Sequence, residues 1–423
     1  MKKEIINPDV FYTSEEVTEI LNVSLRTTQR ILKSGNLPSF RINGQYRIKG
    51  IDILNFLSNV RYDNITISES EKEKPADLIP MLEVYSINLE ISPNLNSLFE
   101  PQDKSEVLLS LNNMRKKIIT ELGFIMPGVR FNDNTELKEN SYSILINGTS
   151  VSNGKLFTNK LFAYSTDKAD IKLSENMYLK PITKEKGYWV EKELKEEAES
   201  KGFIILTPEE LLLDHINFII RKFAHEIISK DEVFLIIENL RKNYPIVVEE
   251  VIQDNNNESN KLSIGKITKI LKELLREQIS IRNIRLILES LGDFIEETTD
   301  PEILVELLRK SLSNQICSKL VDNDSEEGII NVLGLDTDLE KTLIEGIKTN
   351  ELGKKEFYIS SDISSSIIAK IKEFKDIKVI ICSPLVRKYL KQILERNFPN
   401  ISVLSYQEIG KEFKVNCVGM IKI

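Results

Sequence analysis

Few residues in this chain are placed to do covalent chemistry. The two histidines, His215 and His225, and the three cysteines, Cys317, Cys382 and Cys417, are scattered without metal-ligand spacing. Both histidines fall in apolar-striped helical sequence, which favours satisfied structural roles. An odd number of dispersed cysteines reads as reduced, buried thiols of a cytoplasmic protein. Val379 to Ser383 followed by Pro384 gives a strand, then Ser-Pro, then a helix start, an order that could seat a phosphate on backbone N–H groups. No Gly-rich loop and no Lys-Ser/Thr accompanies it, so phosphate is not expected there. No nucleophile, base and oxyanion donors assemble, so the sequence predicts a non-enzyme without cofactor or metal. The residues that do carry a pattern are cationic and amide-bearing. Arg26, Gln29 and Arg30 fall on one helical face, and Arg41 and Arg47 on a hairpin that follows.

Residues 12–57 supply the scaffold for that pattern. Thr13 or Ser14 caps a short helix whose inward face is Val17, Ile20 and Leu21. Asn22-Val23-Ser24 turns the chain into a second helix, with Thr28, Ile31 and Leu32 inward and Gly35 at its end. Phe40-Arg41-Ile42 and Gln45-Tyr46-Arg47-Ile48 alternate around Asn43-Gly44, a two-residue hairpin signal. Helix, turn, helix and hairpin wing is a DNA-reading layout. The charge balance supports it weakly. Residues 1–60 hold eight Lys+Arg and six Asp+Glu, hence +2, so the rest of a chain of net charge −8 carries −10. Affinity for DNA should be low and salt-sensitive. A helix-turn-helix that docks a protein satisfies the same pattern.

This first unit resembles the excisionase-type, MerR-like winged helix-turn-helix. The resemblance rests on Val23, Ser24 and Thr27, on Gly35 to Pro38, and on Arg47 with Ile48. It implies that Arg26, Thr27, Gln29 and Arg30 face the major groove and that Arg41 and Arg47 hold phosphate from the wing. Thr18 stands where that family usually has Ala, and Gln29 where it has Tyr, which alters the base that is read. Residues 61–78, with Ser68 to Pro75 polar and apolar-poor, read as a flexible linker.

The remainder reads as α+β and multidomain. A helix through Met114 to Leu122 is closed by Gly123; strands are expected at Ile125 to Phe131 and over Tyr142, Ile144 and Ile146. A helix is expected from Glu191 to Ser200 after Tyr188-Trp189-Val190. The organising stretch runs from Ile267 to Ile316 as three packed helices. Ile267, Ile270, Leu271, Leu274 and Leu275 form one stripe, and Ile284, Ile287, Leu288 and Leu291 another. Ser280 is placed to cap the second helix, and Asp300 with Pro301 starts the third. Strands at Ile329 to Leu335 and Val379 to Ser383 and a strand and turn from Val403 to Ile409 alternate with helices in a C-terminal α/β unit. The sequence contains no uninterrupted apolar run of ~18 residues, so no membrane insertion is expected. Met1 to Glu4 leads into polar sequence without a signal-peptide core, and a cytoplasmic location is expected.

From about residue 82 onward the chain resembles the export-gate family of type III secretion systems (FHIPEP, flagellar and injectisome forms). The matching stretches are RKKIITELGFIMPGVRFNDN, LLREQISIRNIRLILESLGD, TDPEILVELLRKSL and ICSPLVRKYLKQILERNFPNISVLSYQEI. Asn283 replaces a family Asp, a loss of a few tenths of a kcal/mol (roughly) in helix-dipole benefit. The resemblance implies a four-subdomain body: a first α/β subdomain at 79–148 and 206–225, an inserted subdomain at 149–205, a helical subdomain at 226–318 and a C-terminal α/β subdomain at 319–423. It also implies that the cleft between the first two receives secretion chaperones with their cargo. Glu175 stands for the family's Asp and Tyr178 for its Phe, with the Gly of that motif missing. Asp214 in Asp214-His215-Ile216 stands where the family has Thr at a helix start. Members of the family carry a large membrane-spanning half that this sequence lacks, so a self-sufficient gate is not expected.

Two functions follow as expectations. One is an adaptor–regulator that binds secretion chaperones or substrates through the body and DNA through the first unit. The other is a component of the export apparatus, in contact with export-apparatus proteins and forming a homo-oligomeric ring, whose helix-turn-helix docks protein.

Overall fold

The computed structural model describes residues 6–8, 10–21, 23–33, 37–42, 45–59, 82–99, 106–165, 177–183, 185–253, 261–321, 328–351, 355–374 and 377–423. It divides into two compact units, Met1–Glu83 and Val84–Ile423.

In the first unit, β1 (Phe11–Tyr12), α1 (Ser14–Leu21), α2 (Leu25–Lys33), β2 (Phe40–Ile42), β3 (Gln45–Lys49) and α3 (Gly50–Asn59) follow in order. The strands form an antiparallel sheet in the order β1-β3-β2. Thr13 begins α1 with a reciprocal cap: its Oγ1 accepts from Glu16 N at 3.2 Å, and Glu16 Oε2 accepts from Thr13 N at 2.7 Å. Val17, Leu32, Leu37, Ile48 and Ile53 are buried together, so the helices pack on one face of the wing sheet. Thr18, where a small Ala is usual, is tied off: its hydroxyl donates to Ser14 O at 2.7 Å and lies 2.8 Å from the Thr28 hydroxyl. The Asn43-Gly44 turn lies outside the described residues, as does the expected linker at 61–78.

The second unit opens with a four-stranded sheet. Its strands are β4 (Ile87–Ile91), β5 (Arg130–Asp133), β6 (Ser141–Ile146) and β7 (Thr149–Lys155), in the order β5-β4-β6-β7. The strand expected from Ile125 starts only at Arg130, because Pro127 has no N–H to give a ladder. Asn147 and Gly148 both have positive φ, 47° and 77°, the requirement of a two-residue primed hairpin turn. That hairpin places Thr149–Lys155 in the first sheet, so the inserted subdomain does not begin at 149. The inserted sheet is β8 (Lys160–Tyr164), β9 (Met177–Leu179), β10 (Lys186–Glu191) and β11 (Ile204–Leu206), in the order β11-β8-β10-β9. Glu191 ends β10, and the expected helix is a short 3-10 turn followed by α5 (Lys195–Ser200).

Two helices belong to the first sheet's core: α4 (Glu106–Glu121) and α6 (Pro208–Lys222). Thr207 and Glu210 cap α6 reciprocally, with Pro208 in its first turn. Asp214 is therefore in mid-helix and exposed, not at a helix start. The helical subdomain follows as α7 (Ala224–Ile227), α8 (Lys230–Asn243), α9 (Pro245–Val251), α10 (Ile264–Arg276), α11 (Ile284–Ile295), α12 (Pro301–Ser311) and α13 (Ser313–Ser318). The expected stripes of α10 and α11 are buried. The cap of α11 is Asn283, whose side chain accepts from Leu286 N at 3.3 Å; Ser280 sits three residues too early and is buried. Asp300 caps α12 as expected. Gly123 joins this subdomain to the first. A Cβ there would lie 2.1 Å from Arg282 N, and Ile281 N donates to Leu122 O at 2.8 Å.

The C-terminal subdomain is a parallel sheet, β16-β15-β12-β17, built from β12 (Ile329–Leu335), β15 (Val379–Cys382), β16 (Ser402–Ser405) and β17 (Lys414–Ile421). It also holds α14 (Thr337–Glu345), a hairpin of β13 (Ile347–Thr349) and β14 (Lys355–Phe357), α15 (Ser361–Glu373) and α16 (Pro384–Glu395). Ile330, Val332, Val379 and Ile381 face a core shared with the helical subdomain, while Leu333, Leu335, Ile380 and Cys382 face a second core. Cys317 and Cys382 are buried, but Cys417 is exposed on the edge strand β17, against the expectation that all three are buried.

A buried ionic cluster closes the junction of these last two subdomains. Arg309 donates to Glu277 Oε2 at 2.7 Å and Glu408 Oε2 at 2.5 Å. Arg387 donates to Glu277 at 2.8 Å, and through Nε to Glu306 Oε2 at 2.7 Å. Burial alone pushes the Glu277 carboxyl up, but Arg309 and Arg387 outweigh it and hold it below the usual range.

Candidate functional site

Between the first sheet and the inserted sheet lies an open cleft of about 460 Å³. Asn153, Gly154 and Lys155 of β7, with Glu136 and Lys138, form its polar wall. Phe162, Tyr178, Leu179 and Trp189 form its apolar wall. The aromatic wall is an edge-to-face series. Phe157 meets Tyr178 at 5.7 Å and Trp189 at 5.3 Å, and Phe162 meets Trp189 at 5.2 Å. β9 is an edge strand, so Met177 and Leu179 stay 50% and 53% exposed beside the half-buried Tyr178.

The cleft floor is cross-linked by hydrogen bonds. Tyr142 Oη bonds His215 Nδ1 at 2.7 Å, and Ser152 Oγ bonds His215 Nε2 at 2.8 Å. Both ring nitrogens are used, so His215 is a structural histidine that ties α6 to β6 and β7. Burial pushes the Tyr142 phenol pKa up, which keeps it a neutral partner. Gly154 is opposite Tyr142 in the ladder, and a Cβ there would come 2.4 Å from Tyr142 Oη. His225 stacks on Phe223 at 6.5 Å, and burial, helped by Arg276, lowers its pKa to about 4.

Of the described residues expected in this site, Tyr178 lines the cleft and Asp214 does not. Asp214 points to solvent one turn beyond Leu211, which does line it. Glu175 lies outside the described residues. Phe157, Phe162 and Leu179 were not singled out from sequence. The alternation of Leu161 and Ala163 against Phe162 and Tyr164 carries the signal, since the first pair fills one core and the second faces the cleft side.

In the first unit, Arg26, Gln29 and Arg30 are exposed on α2. Thr27 is engaged locally: its N donates to Ser24 Oγ at 3.2 Å and the two hydroxyls lie 2.9 Å apart, a helix cap. Arg41 and Arg47 lie on opposite faces of the wing. Arg41 is paired with Tyr46, donates to its Oη at 2.6 Å and lies 4.5 Å from its ring centroid. Arg47 is opposite Phe40 and shares that residue's face.

The Ser383-Pro384 helix start is already filled. Glu340 Oε1 accepts from Ser383 N at 2.8 Å, leaving no place there for a phosphate. Among the described residues no three His, Cys, Asp or Glu side chains converge as metal ligands. Among them too, no helix is long and apolar enough to cross a membrane.

Comparison with known proteins agrees with this architecture. The FHIPEP family profile matches residues 55–414, and a helix-turn-helix domain profile matches residues 11–61. The flagellar biosynthesis protein FlhA of Bacillus subtilis is 32% identical over 373 residues, 85% of this chain and 53% of that protein. The chain thus spans about half the length of the curated relatives it matches. The Chlamydia pneumoniae CdsV protein superposes with a TM-score of 0.68 at 25% identity, over 81% of this chain and 98% of that one. CdsV in complex with CdsO matches with the same score and identity, over 80% of this chain and 98% of that one. The nonameric EscV cytosolic domain from a type III secretion system has the same fold, with a TM-score of 0.59 at 23% identity over 80% of this chain and 97% of that one. The family profile spans most of this chain, which belongs to the FHIPEP family of flagellar and type III export-gate proteins.

Proposed function

We propose that this protein is a non-enzymatic, cytoplasmic component of the flagellar or type III export apparatus, and that its cleft docks secretion chaperones carrying their cargo. The observation that carries this reading is the open cleft itself. It offers a fixed aromatic wall and a half-exposed edge strand on one side, and charged residues on the other. Aromatic anchors with a polar rim are the usual composition of a protein-docking hot spot. The solved nonameric EscV domain and the CdsV–CdsO complex support a ring of copies and export-apparatus partners for a body of this fold. In this reading the N-terminal unit docks protein.

The adaptor–regulator alternative rests on the exposed Arg26, Gln29 and Arg30. The relatives favour the apparatus, since the matched sequence is named for flagellar biosynthesis and EscV for type III secretion.

Calorimetric titration of the full chain with a purified chaperone–cargo complex from the same secretion system tests the cleft. Leu179→Asp puts a carboxylate on the apolar wall and should weaken binding about tenfold or more, equivalent to ~1.4 kcal/mol. Equal affinity of the two proteins would remove the cleft from the docking site.

A further inference from the structure

The wing of the first unit carries a surface that DNA reading does not explain. Phe11 on β1 and Phe40 on β2 stand on the two outer strands and meet over β3, their rings 5.1 Å apart and edge to face. They remain 49% and 45% exposed, and Val10 beside them is 46% exposed. In the ladder Phe11 is opposite Lys49 and Phe40 is opposite Arg47, so all four side chains leave the same face. The other face of the sheet holds Tyr12 and Ile48 against the helices and is the core side.

We infer that this face is a docking surface for an extended peptide segment in which apolar side chains are set among acidic ones. An exposed aromatic pair contributes little on a phosphate backbone, whereas it gives a peptide's apolar side chain a rigid anchor of low entropy cost. Lys49 flanks that anchor along β3 and fixes the sign of the partner: a carboxylate complements it, and a second copy of the same face would bring like charges together. The pair bridges all three strands, and neighbouring strands are about 4.8 Å apart, so the patch is wide enough for one extended chain and too narrow for a helix pair. The inference rests on the protein-docking reading of the N-terminal unit and gives it a partner class.

The test uses the full chain and fluorescence anisotropy with two labelled synthetic peptides of equal length. One has leucines set among glutamates, the other leucines set among lysines. The glutamate peptide should bind and the lysine peptide should not. Phe11→Ser with Phe40→Ser should weaken the glutamate peptide about tenfold. Lys49→Glu should do the same, and Arg26→Ala with Arg30→Ala should leave it unchanged. Phe11, Phe40, Arg26 and Arg30 are exposed and Lys49 is half-buried, and circular dichroism of each variant confirms that it is folded. The inference is overturned if the glutamate peptide fails to bind, if both peptides bind alike, or if only Arg26→Ala with Arg30→Ala weakens it. The last outcome would return the unit to recognition through α2. Failure of the peptide while export-apparatus proteins are still retained by the chain would overturn this surface alone and leave the proposed function standing.

Discussion

Two junctions in the same body are built in opposite ways. The first sheet and the inserted sheet meet across an open cleft, with aromatic rings on one wall and half-exposed Met177 and Leu179 at its edge. The helical and C-terminal subdomains meet across a closed seam, where the buried Arg309, Arg387 and Glu408 meet Glu277 and the partly exposed Glu306. A buried ion cluster contributes little net stability against an apolar substitute, but it is costly to break and specifies one geometry. An open aromatic wall has the reverse properties: it tolerates change in the free protein and gains energy when covered. The contrast separates a junction that fixes shape from one that is available to a partner.

The largest effect should come from the seam. Arg387→Ala leaves Glu306 without its ion-pair partner and Glu277 with Arg309 alone, and should cost about 3 kcal/mol, read as a lower urea midpoint for the C-terminal half. A loss under ~1 kcal/mol would mean that the seam is not what holds these subdomains.

Next is the floor of the cleft. Tyr142→Phe leaves His215 Nδ1 without its 2.7 Å partner and should cost about 1–3 kcal/mol in thermal melting. The cleft wall should behave differently. Leu179→Asp is expected to change stability by no more than about 0.5 kcal/mol while abolishing most chaperone binding. If it unfolds the inserted sheet instead, β9 is part of the core and the contrast between the junctions fails.

A separate effect is acid sensitivity. His225 has its pKa lowered from 6.5 to about 4 in the folded state, so between those values the unfolded chain binds more protons. Stability is then fully present above pH 6.5 and falls as pH drops towards about 4. Glu277 adds to the fall at lower pH, because its folded pKa lies below the usual carboxylate range and its contribution is lost as pH falls through it. His225→Gln should flatten the upper part of that slope in melts run across the range. An unchanged slope would assign it to other groups.

The sequence discloses these two junctions unequally, for a physical reason. Helical stripes such as Ile267 to Leu275 are local, and their burial follows from a 3.6-residue period alone. The seam is not local: Glu277 and Arg387 are 110 residues apart, and no spacing links them. The cap of α11 went to Asn283 rather than Ser280 because both are good caps and only the packed helix says where the first turn begins. The number and scatter of the cysteines suggest a buried thiol at Cys417, yet β17 is an edge strand of a parallel sheet, which composition alone does not reveal. The wing was legible as a hairpin. Its two faces were not separated, so Arg41 and Arg47 were expected to hold phosphate together although the register sets them apart.

The most direct measurement is recovery of the tagged full chain from its own cells, with bound proteins identified and bound DNA sequenced from one sample. Export-apparatus proteins and secretion chaperones without enriched DNA are expected. A discrete DNA sequence recovered without export proteins would contradict the assignment to the export apparatus and make the first unit a reader of DNA.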